Sequence, residues 1–334
     1  MSRLIPKGPK TVVIGGGTGS FTVLTGLKRY TADITALVNM CDDGGSTGIL
    51  RDELGVLPSG DVRQCLVALS DSPRVRELFN YRFEEGTFKG HAFGNIFLTA
   101  LEKMTGSFAE AVEEAGKVLA ITGTVEPITL DNVTLVLDDG DGQVTKGQFN
   151  IGRTDFHNRA RPMIYLEPSG RINPGAKTAI EQADLVVISP GNLYGSLAPT
   201  LIVEGVSEAL NCSKARKVYI CNLVTKPGQT DDFTVSDYAD EIERLGGITL
   251  DYVLYNNVPP NEALLGKYAH EGEFPVMWDK SALESKHYRA KGASLLAGAI
   301  WQGNGDGDPI AHSRTFIRHD PDKIARELMK IYFA

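Results

Sequence analysis

Two loops in this sequence carry the residue types from which a phosphate and cation site is made. The run Ile14-Gly15-Gly16-Gly17-Thr18-Gly19-Ser20 places four glycines within five positions. A strand that turns through glycines into a helix exposes backbone N–H groups at the positive end of the helix dipole, which favours an anion. A tight turn alone needs fewer glycines, so Gly15, Gly16, Gly17 and Gly19, with Thr18, are read as a phosphate cradle. Two better-known patterns fit incompletely: the third glycine of the dinucleotide fingerprint falls on Ser20, and no Walker Gly-Lys pair follows. The second loop, Asp42-Asp43-Gly44-Gly45-Ser46-Thr47-Gly48, sets adjacent carboxylates among flexible glycines. Asp42 and Asp43 suit Mg²⁺ through one or two oxygens, or the hydroxyls of a ligand, with Gly44, Gly45 and Ser46 beside them. In a plain dinucleotide fold Asp42 would instead take a ribose.

Further motifs add polar groups. Pro58-Ser59-Gly60-Asp61-Val62-Arg63 opens a helix that buries Val62, Leu66 and Leu69. Asp61 reads as its N-cap or as a ligand-facing acid. Arg63 in the first turn opposes the macrodipole and calls for an anion, either Asp61 or a ligand phosphate. In Gly90-His91-Ala92-Phe93-Gly94-Asn95 a helical reading puts Phe93, Phe97, Leu101 and Met104 on an apolar stripe. His91 and Asn95, four residues apart, then project together from the opposite face, towards a ligand. Ser189-Pro190-Gly191-Asn192-Leu193-Tyr194-Gly195-Ser196 and Asn222-Leu223-Val224-Thr225-Lys226 follow buried strands. Gly191, Asn192, Tyr194, Ser196, Asn222 and Thr225 are candidates there, since ligands of open α/β sheets lie outside the carboxyl ends of strands. By contrast, Thr234-Val235-Ser236-Asp237 reads as a capping box.

Short β-branched runs at 11–14, 34–38, 185–188, 218–220 and 252–254 position these loops, each followed by a small or polar loop and a helical stretch such as 21–30. That alternation predicts an α/β, Rossmann-like three-layer fold: a single domain with a mostly parallel sheet covered on both faces. A helical insertion is expected over 61–119 (segments 61–70, 73–82, 91–104 and 107–119), and a small antiparallel β excursion over 121–168. A glycine-rich surface loop at 303–307 precedes a last helix capped by Asp320 ahead of Pro321. The chain has 334 residues, ample for a buried core, and a net charge of −8, which argues against nucleic-acid binding. Four cysteines show no paired spacing. Residues 1–10 lack the apolar core of a secretory signal, and no apolar run nears the ~20 residues that span a bilayer. A soluble, cytoplasmic protein without membrane insertion is expected.

Taken in this order, the motifs resemble the 2-phospho-L-lactate transferase (CofD-like) superfamily, and within it the bacterial gluconeogenesis-factor (YvcK-type) branch, from about Thr11 to the last helix. The Asp-Asp-Gly-Gly run favours that branch. Lys226 and Gln229 stand where it usually has Gln and Glu. The resemblance implies a regulatory protein of cell shape and carbon metabolism that binds a UDP-sugar. The diphosphate would lie on residues 15–19, sugar hydroxyls or Mg²⁺ on Asp42 and Asp43, and other polar edges on Asn192, Tyr194 and Asn222. A GDP-type ligand or a dinucleotide is the alternative ligand, and a homodimer and regulatory protein partners are expected. The other activity it implies is a Mg²⁺-dependent transfer of a phospholactyl-type group from a nucleoside diphosphate conjugate, with Arg63 or His91 assisting the leaving phosphate. A nicotinamide oxidoreductase fits least, for want of the full fingerprint.

Overall fold

The computed structural model describes residues 8–156, 161–298 and 317–334; the glycine run at 303–307 lies outside them. Seven strands form one sheet: β1 (Thr11–Gly15), β2 (Ile34–Val38), β3 (Thr124–Pro127), β7 (Leu185–Ile188), β8 (Arg216–Ile220), β9 (Tyr252–Asn256) and β10 (Arg289–Ala293). Between β3 and β7 in sequence, β4 (Thr134–Asp138), β5 (Val144–Lys146) and β6 (Met163–Glu167) form a separate three-stranded sheet. The large sheet runs β10-β9-β8-β7-β1-β2-β3, and every neighbouring pair is parallel. β1 and β7 are buried along their whole length, as apolar runs in a sheet covered on both faces must be. From β1 the chain moves outward through β2 to β3, then returns to β7 and moves the other way. The order therefore reverses between β1 and β7, and a crevice opens at their carboxyl ends.

Two expectations change at the edges. β3 pairs with β2 in parallel, so it belongs to the large sheet, and the antiparallel excursion is confined to β5-β4-β6. Pro127 is tolerated because β3 is an edge strand, with one side free of ladder bonds. β10, Arg-Ala-Lys-Gly-Ala, adds the opposite edge without a single β-branched residue. Its backbone pairing with β9 makes it a strand; its side chains give no such signal.

Helices α1 (Gly17–Leu27), α2 (Gly45–Leu54), α3 (Gly60–Leu69), α4 (Pro73–Asn80), α5 (Phe93–Thr105) and α6 (Phe108–Leu119) follow β1 and β2. The helical stretch thus starts at Gly45, before residue 61. The glycine loop is itself the first turn of α1, which begins four residues ahead of the expected 21. Gly19 explains how close α1 sits to the loop after β7, because a Cβ there would lie 1.6 Å from the Pro190 carbonyl oxygen. At the far end, Asp320 accepts from the N–H groups of Asp322 and Lys323 and caps the helix Pro321–Phe333, as read from sequence. The Thr234/Asp237 capping box is also present. Among the described residues no helix is long and apolar enough to cross a membrane.

Candidate functional site

A cleft of about 700 Å³ opens at the β1/β7 switch point. Its floor is made of helix beginnings. α1, α2 and α3 present Gly16–Gly19, Gly44–Thr47 and Gly60–Asp61 to it, and Asn192 with Ser196 closes it from the loop after β7. None of these three helices has a side-chain N-cap hydrogen bond. Elsewhere Ser72, Ser107, Thr234 and Asp320 cap theirs. The first-turn N–H groups of a helix lack intrahelical partners, so an uncapped start facing a cleft offers donors and positive potential to a ligand. Gly17 (φ +64°) and Gly45 (φ +46°) make the turns into α1 and α2 in a backbone region open to glycine.

The acids are arranged differently from the sequence reading. Asp61 does not cap α3. It lies in the helix's first turn, with Ser59 at the cap, and reaches across to α1, where a Cβ on Gly16 would meet its Oδ2 at 2.1 Å. Burial, and then the Asp42 charge, push its carboxyl up to about 7, against the Gly17 N–H, the Asn39 amide and Arg63. Asp42 also lines the cleft and is raised by burial, while hydrogen bonds from the Gly44 N–H (3.1 Å) and the Thr47 hydroxyl oppose the shift. Asp43 does not line the cleft. Its Oδ1 accepts the Phe149 N–H at 2.7 Å, tying the loop to the short helix α7 (Gln148–Ile151) after β5. The neighbouring acids thus divide, one to the cleft and one to the second sheet.

Arg63 is buried, and its guanidinium donates to Asn95 Oδ1 at 2.9 Å and to Asn80 Oδ1. Asn95 lies on the core side of α5, not opposite it. The buried residues there are Gly94, Asn95, Leu98 and Thr99, whereas Met104 is 74% exposed. The expected stripe is rotated because Phe93 and Phe97 turn towards Phe79 of α4, edge to face. His91 precedes the helix, whose N-cap is Ala92, and shares one partner with Asn95: Ser46 Oγ lies 3.0 Å from His91 Nδ1 and 3.3 Å from Asn95 Nδ2.

Around β7 and β8 the polar candidates mostly hold the loops themselves. Asn222 Nδ2 donates to the Gly191 carbonyl at 2.7 Å and its Oδ1 accepts the Gly191 N–H at 3.2 Å. Asn192 caps the π-helix Leu193–Leu197 by accepting from the Gly195 N–H. Thr225 is buried and clasps Phe274. Tyr194 is a correction: it points into the core against Phe156, with burial and Glu241 raising its hydroxyl, and does not line the cleft. Gly15 likewise serves packing, since a Cβ would strike Ser189 Oγ at 2.2 Å, where Ser189 and Ser20 hydrogen-bond.

Against this geometry stand the similarities to known proteins. The family model described as 2-phospho-L-lactate transferase CofD matches residues 11–296. A putative gluconeogenesis factor of Clostridium acetobutylicum is 42% identical over 332 residues, 98% of this chain and 70% of that one. The gluconeogenesis factor of Bacillus subtilis is 37% identical over 328 residues, 97% of this chain and 98% of that one. The chain belongs to the CofD family, in its gluconeogenesis-factor branch. A crystal structure of a UPF0052-family protein from Bacillus halodurans shares the fold, with a TM-score of 0.85 at 35% identity over 97% of this chain and 99% of that one.

Within this CofD-family cleft, sequence reasoning missed Phe149, Gly152 and Arg153, which the second sheet delivers from beyond β5. No local pattern marks them; their place follows from the Asp43–Phe149 bond that docks α7. Arg153 stacks over the Phe149 ring at 3.9 Å. Lys226 also lines the cleft and opens onto an adjoining pocket of about 270 Å³ that holds Asn222, Thr225 and His319. Burial lowers His319 to about 4.

Proposed function

We propose that the chain is a regulatory protein of the gluconeogenesis-factor type that binds a nucleoside diphosphate sugar, of the UDP-sugar class, with its diphosphate over the starts of α1, α2 and α3. The observation that carries this reading is the set of three adjacent helix N-termini around one cleft, none closed by its own N-cap side chain, with Asp61 taking the Gly17 N–H of α1. Arg153 and Lys226 add positive charge at its walls. Mg²⁺ fits as a companion. Asp42 and Asp61 are two carboxylates held against burial, a donor set too small by itself, since no group of three or more His, Cys, Asp or Glu among the described residues could hold a metal. Mg²⁺ is commonly bound by one or two carboxylates completed by ligand phosphate oxygens, and when bound it neutralises phosphate charge. Asp42 and Asp61 would hold it, and Asp43 would not.

The test is calorimetric titration of UDP-N-acetylglucosamine, with GDP as competitor, in Mg²⁺. Wild type should bind, and Gly17→Val should lose at least tenfold in affinity with its circular dichroism unchanged. A Cβ at Gly17 lies 3.7 Å from Asp61 Oδ1, so that atom collides with nothing, and the positive φ adds backbone strain of at least about 1–2 kcal/mol for a β-branched residue. Equal affinities in the two proteins would reject the assignment. Steady multiple turnover of the nucleotide would replace the regulatory reading with the transferase that the family description names.

A further inference from the structure

Ser46 lines the cleft in the first turn of α2, and its hydroxyl has two side-chain partners, Asn95 and His91. Arg63 Nε donates to Asn95 Oδ1 at 2.9 Å. A guanidinium has no acceptor, so the amide oxygen is the end of Asn95 that faces it. The amide nitrogen therefore faces α2 and donates to Ser46 Oγ at 3.3 Å. With Oγ accepting there, its own proton is available to the other neighbour, His91 Nδ1, at 3.0 Å, in the tautomer that leaves Nδ1 unprotonated. In that tautomer His91 accepts at Nδ1 and carries its own proton on Nε2. The relay Arg63, Asn95, Ser46, His91 then runs in one direction, towards removal of the serine proton.

A clasp between α2 and α5 does not need the histidine, because Asn95 already spans from Ser46 to Thr47 Oγ1 at 3.5 Å. The imidazole adds a proton acceptor behind the cleft wall: Ser46 lines the cleft and His91 does not. A hydroxyl facing a phosphate cradle with a base at its back is the arrangement of an activated nucleophile.

We propose that Ser46 is a nucleophile towards phosphorus, with His91 as its proton acceptor, and that its substrate class is the phosphoanhydride of a nucleoside diphosphate conjugate. A bond forms from Ser46 Oγ to phosphorus while the bridging P–O bond of the anhydride breaks. The electron pair of that bond leaves with the departing phosphate monoester, and the serine proton passes to His91 Nδ1. Developing negative charge meets the first-turn N–H groups of α2 and the side chains of Arg153 and Lys226. The product is a phosphodiester-linked serine, a covalent mark left by the ligand. The substrate class rests on the nucleotide-binding reading above; the activation of Ser46 does not.

The experiment treats the full chain with diisopropyl fluorophosphate, a small phosphorus electrophile, and maps adducts by peptide mass spectrometry. Ser46 should be captured, and His91→Gln should slow capture by about 10²–10⁴-fold, the usual worth of a positioned base. Prior carbethoxylation of His91 in the unaltered protein should give the same loss, whatever the stability of the variant. No adduct on Ser46, or capture at an equal rate once His91 is replaced or blocked, overturns the proposal. UDP-N-acetylglucosamine should protect Ser46. Capture without protection, and without calorimetric binding, leaves the nucleophile standing and removes the nucleotide reading. Calorimetric binding without capture does the reverse.

Discussion

Asp61 sits where a phosphate cradle would be expected to exclude an anion. Burial holds its carboxyl near 7, so close to neutrality it is partly protonated beside the Gly17 N–H. The sign of the linkage follows. The folded pKa lies above the ordinary 3.8, so the folded state keeps its proton when the unfolded state has lost it. This contribution to stability is complete below about pH 4 and is lost as the pH rises through about 7. Asp61→Asn should therefore flatten the fall in melting temperature between pH 4 and 8 and leave the variant more stable at pH 8 by a few °C. Parallel pH curves for the two proteins would remove the buried-acid account. The glycines separate in the same way. Gly19→Ala drives a Cβ into the Pro190 backbone carbonyl, which cannot swing aside, and should cost about 3 kcal/mol or more. Gly17→Ala meets only backbone strain, about 1–2 kcal/mol. Urea midpoints in the opposite order would contradict this placement of α1.

Among the elements, the loop after β7 depends on one amide. Asn222 bonds both the N–H and the C=O of Gly191, so Asn222→Ala leaves two backbone groups to find new partners. The expected cost is about 1–3 kcal/mol, with faster hydrogen exchange at Gly191 and Asn192; unchanged exchange there would mean that the loop is held by other contacts. Elements were legible from sequence where side chains alone dictate them. β7 is apolar throughout and β1 has the apolar centre Val12, Val13 and Ile14, and Thr234 and Asp320 announce the helices they cap. α2 was not legible, because its first four residues, Gly-Ser-Thr-Gly, are poor helix formers that read as loop. The missing cap that hides α2 also exposes its first turn to the cleft. In the site, the glycine loop and Asp42 were visible through spacing. The split between Asp42 and Asp43 was not, since it is decided by a backbone N–H over a hundred residues away, at Phe149. The Ser46–His91 contact, between residues 45 apart on separate elements, is equally invisible to any local pattern.

At the scale of the molecule, the cleft draws on both sheets. The large sheet supplies the crevice between β1 and β7, and the small sheet delivers Phe149 and Arg153 through α7. A ligand held there joins parts that are separate in sequence, so it should stabilise the whole fold as well as its loops. At a hundredfold excess over Kd, a ligand that binds only the folded state adds about 2.7 kcal/mol, which in a chain of this size corresponds to a rise of several °C in melting temperature. Mg²⁺ should contribute differently. Asp42 and Asp61 supply two carboxylates and no third acid joins them among the described residues, so the ion alone has too few ligands. Melting curves should therefore move little with millimolar Mg²⁺ alone, clearly with UDP-N-acetylglucosamine, and furthest with both together. Asp42→Asn should remove the extra shift from Mg²⁺, whereas Asp43→Asn should leave it intact and lose stability only through the Phe149 contact. A shift with Mg²⁺ alone as large as with both, or an extra shift that survives Asp42→Asn, would show that the ion binds elsewhere and that the two acids at the cleft serve the fold.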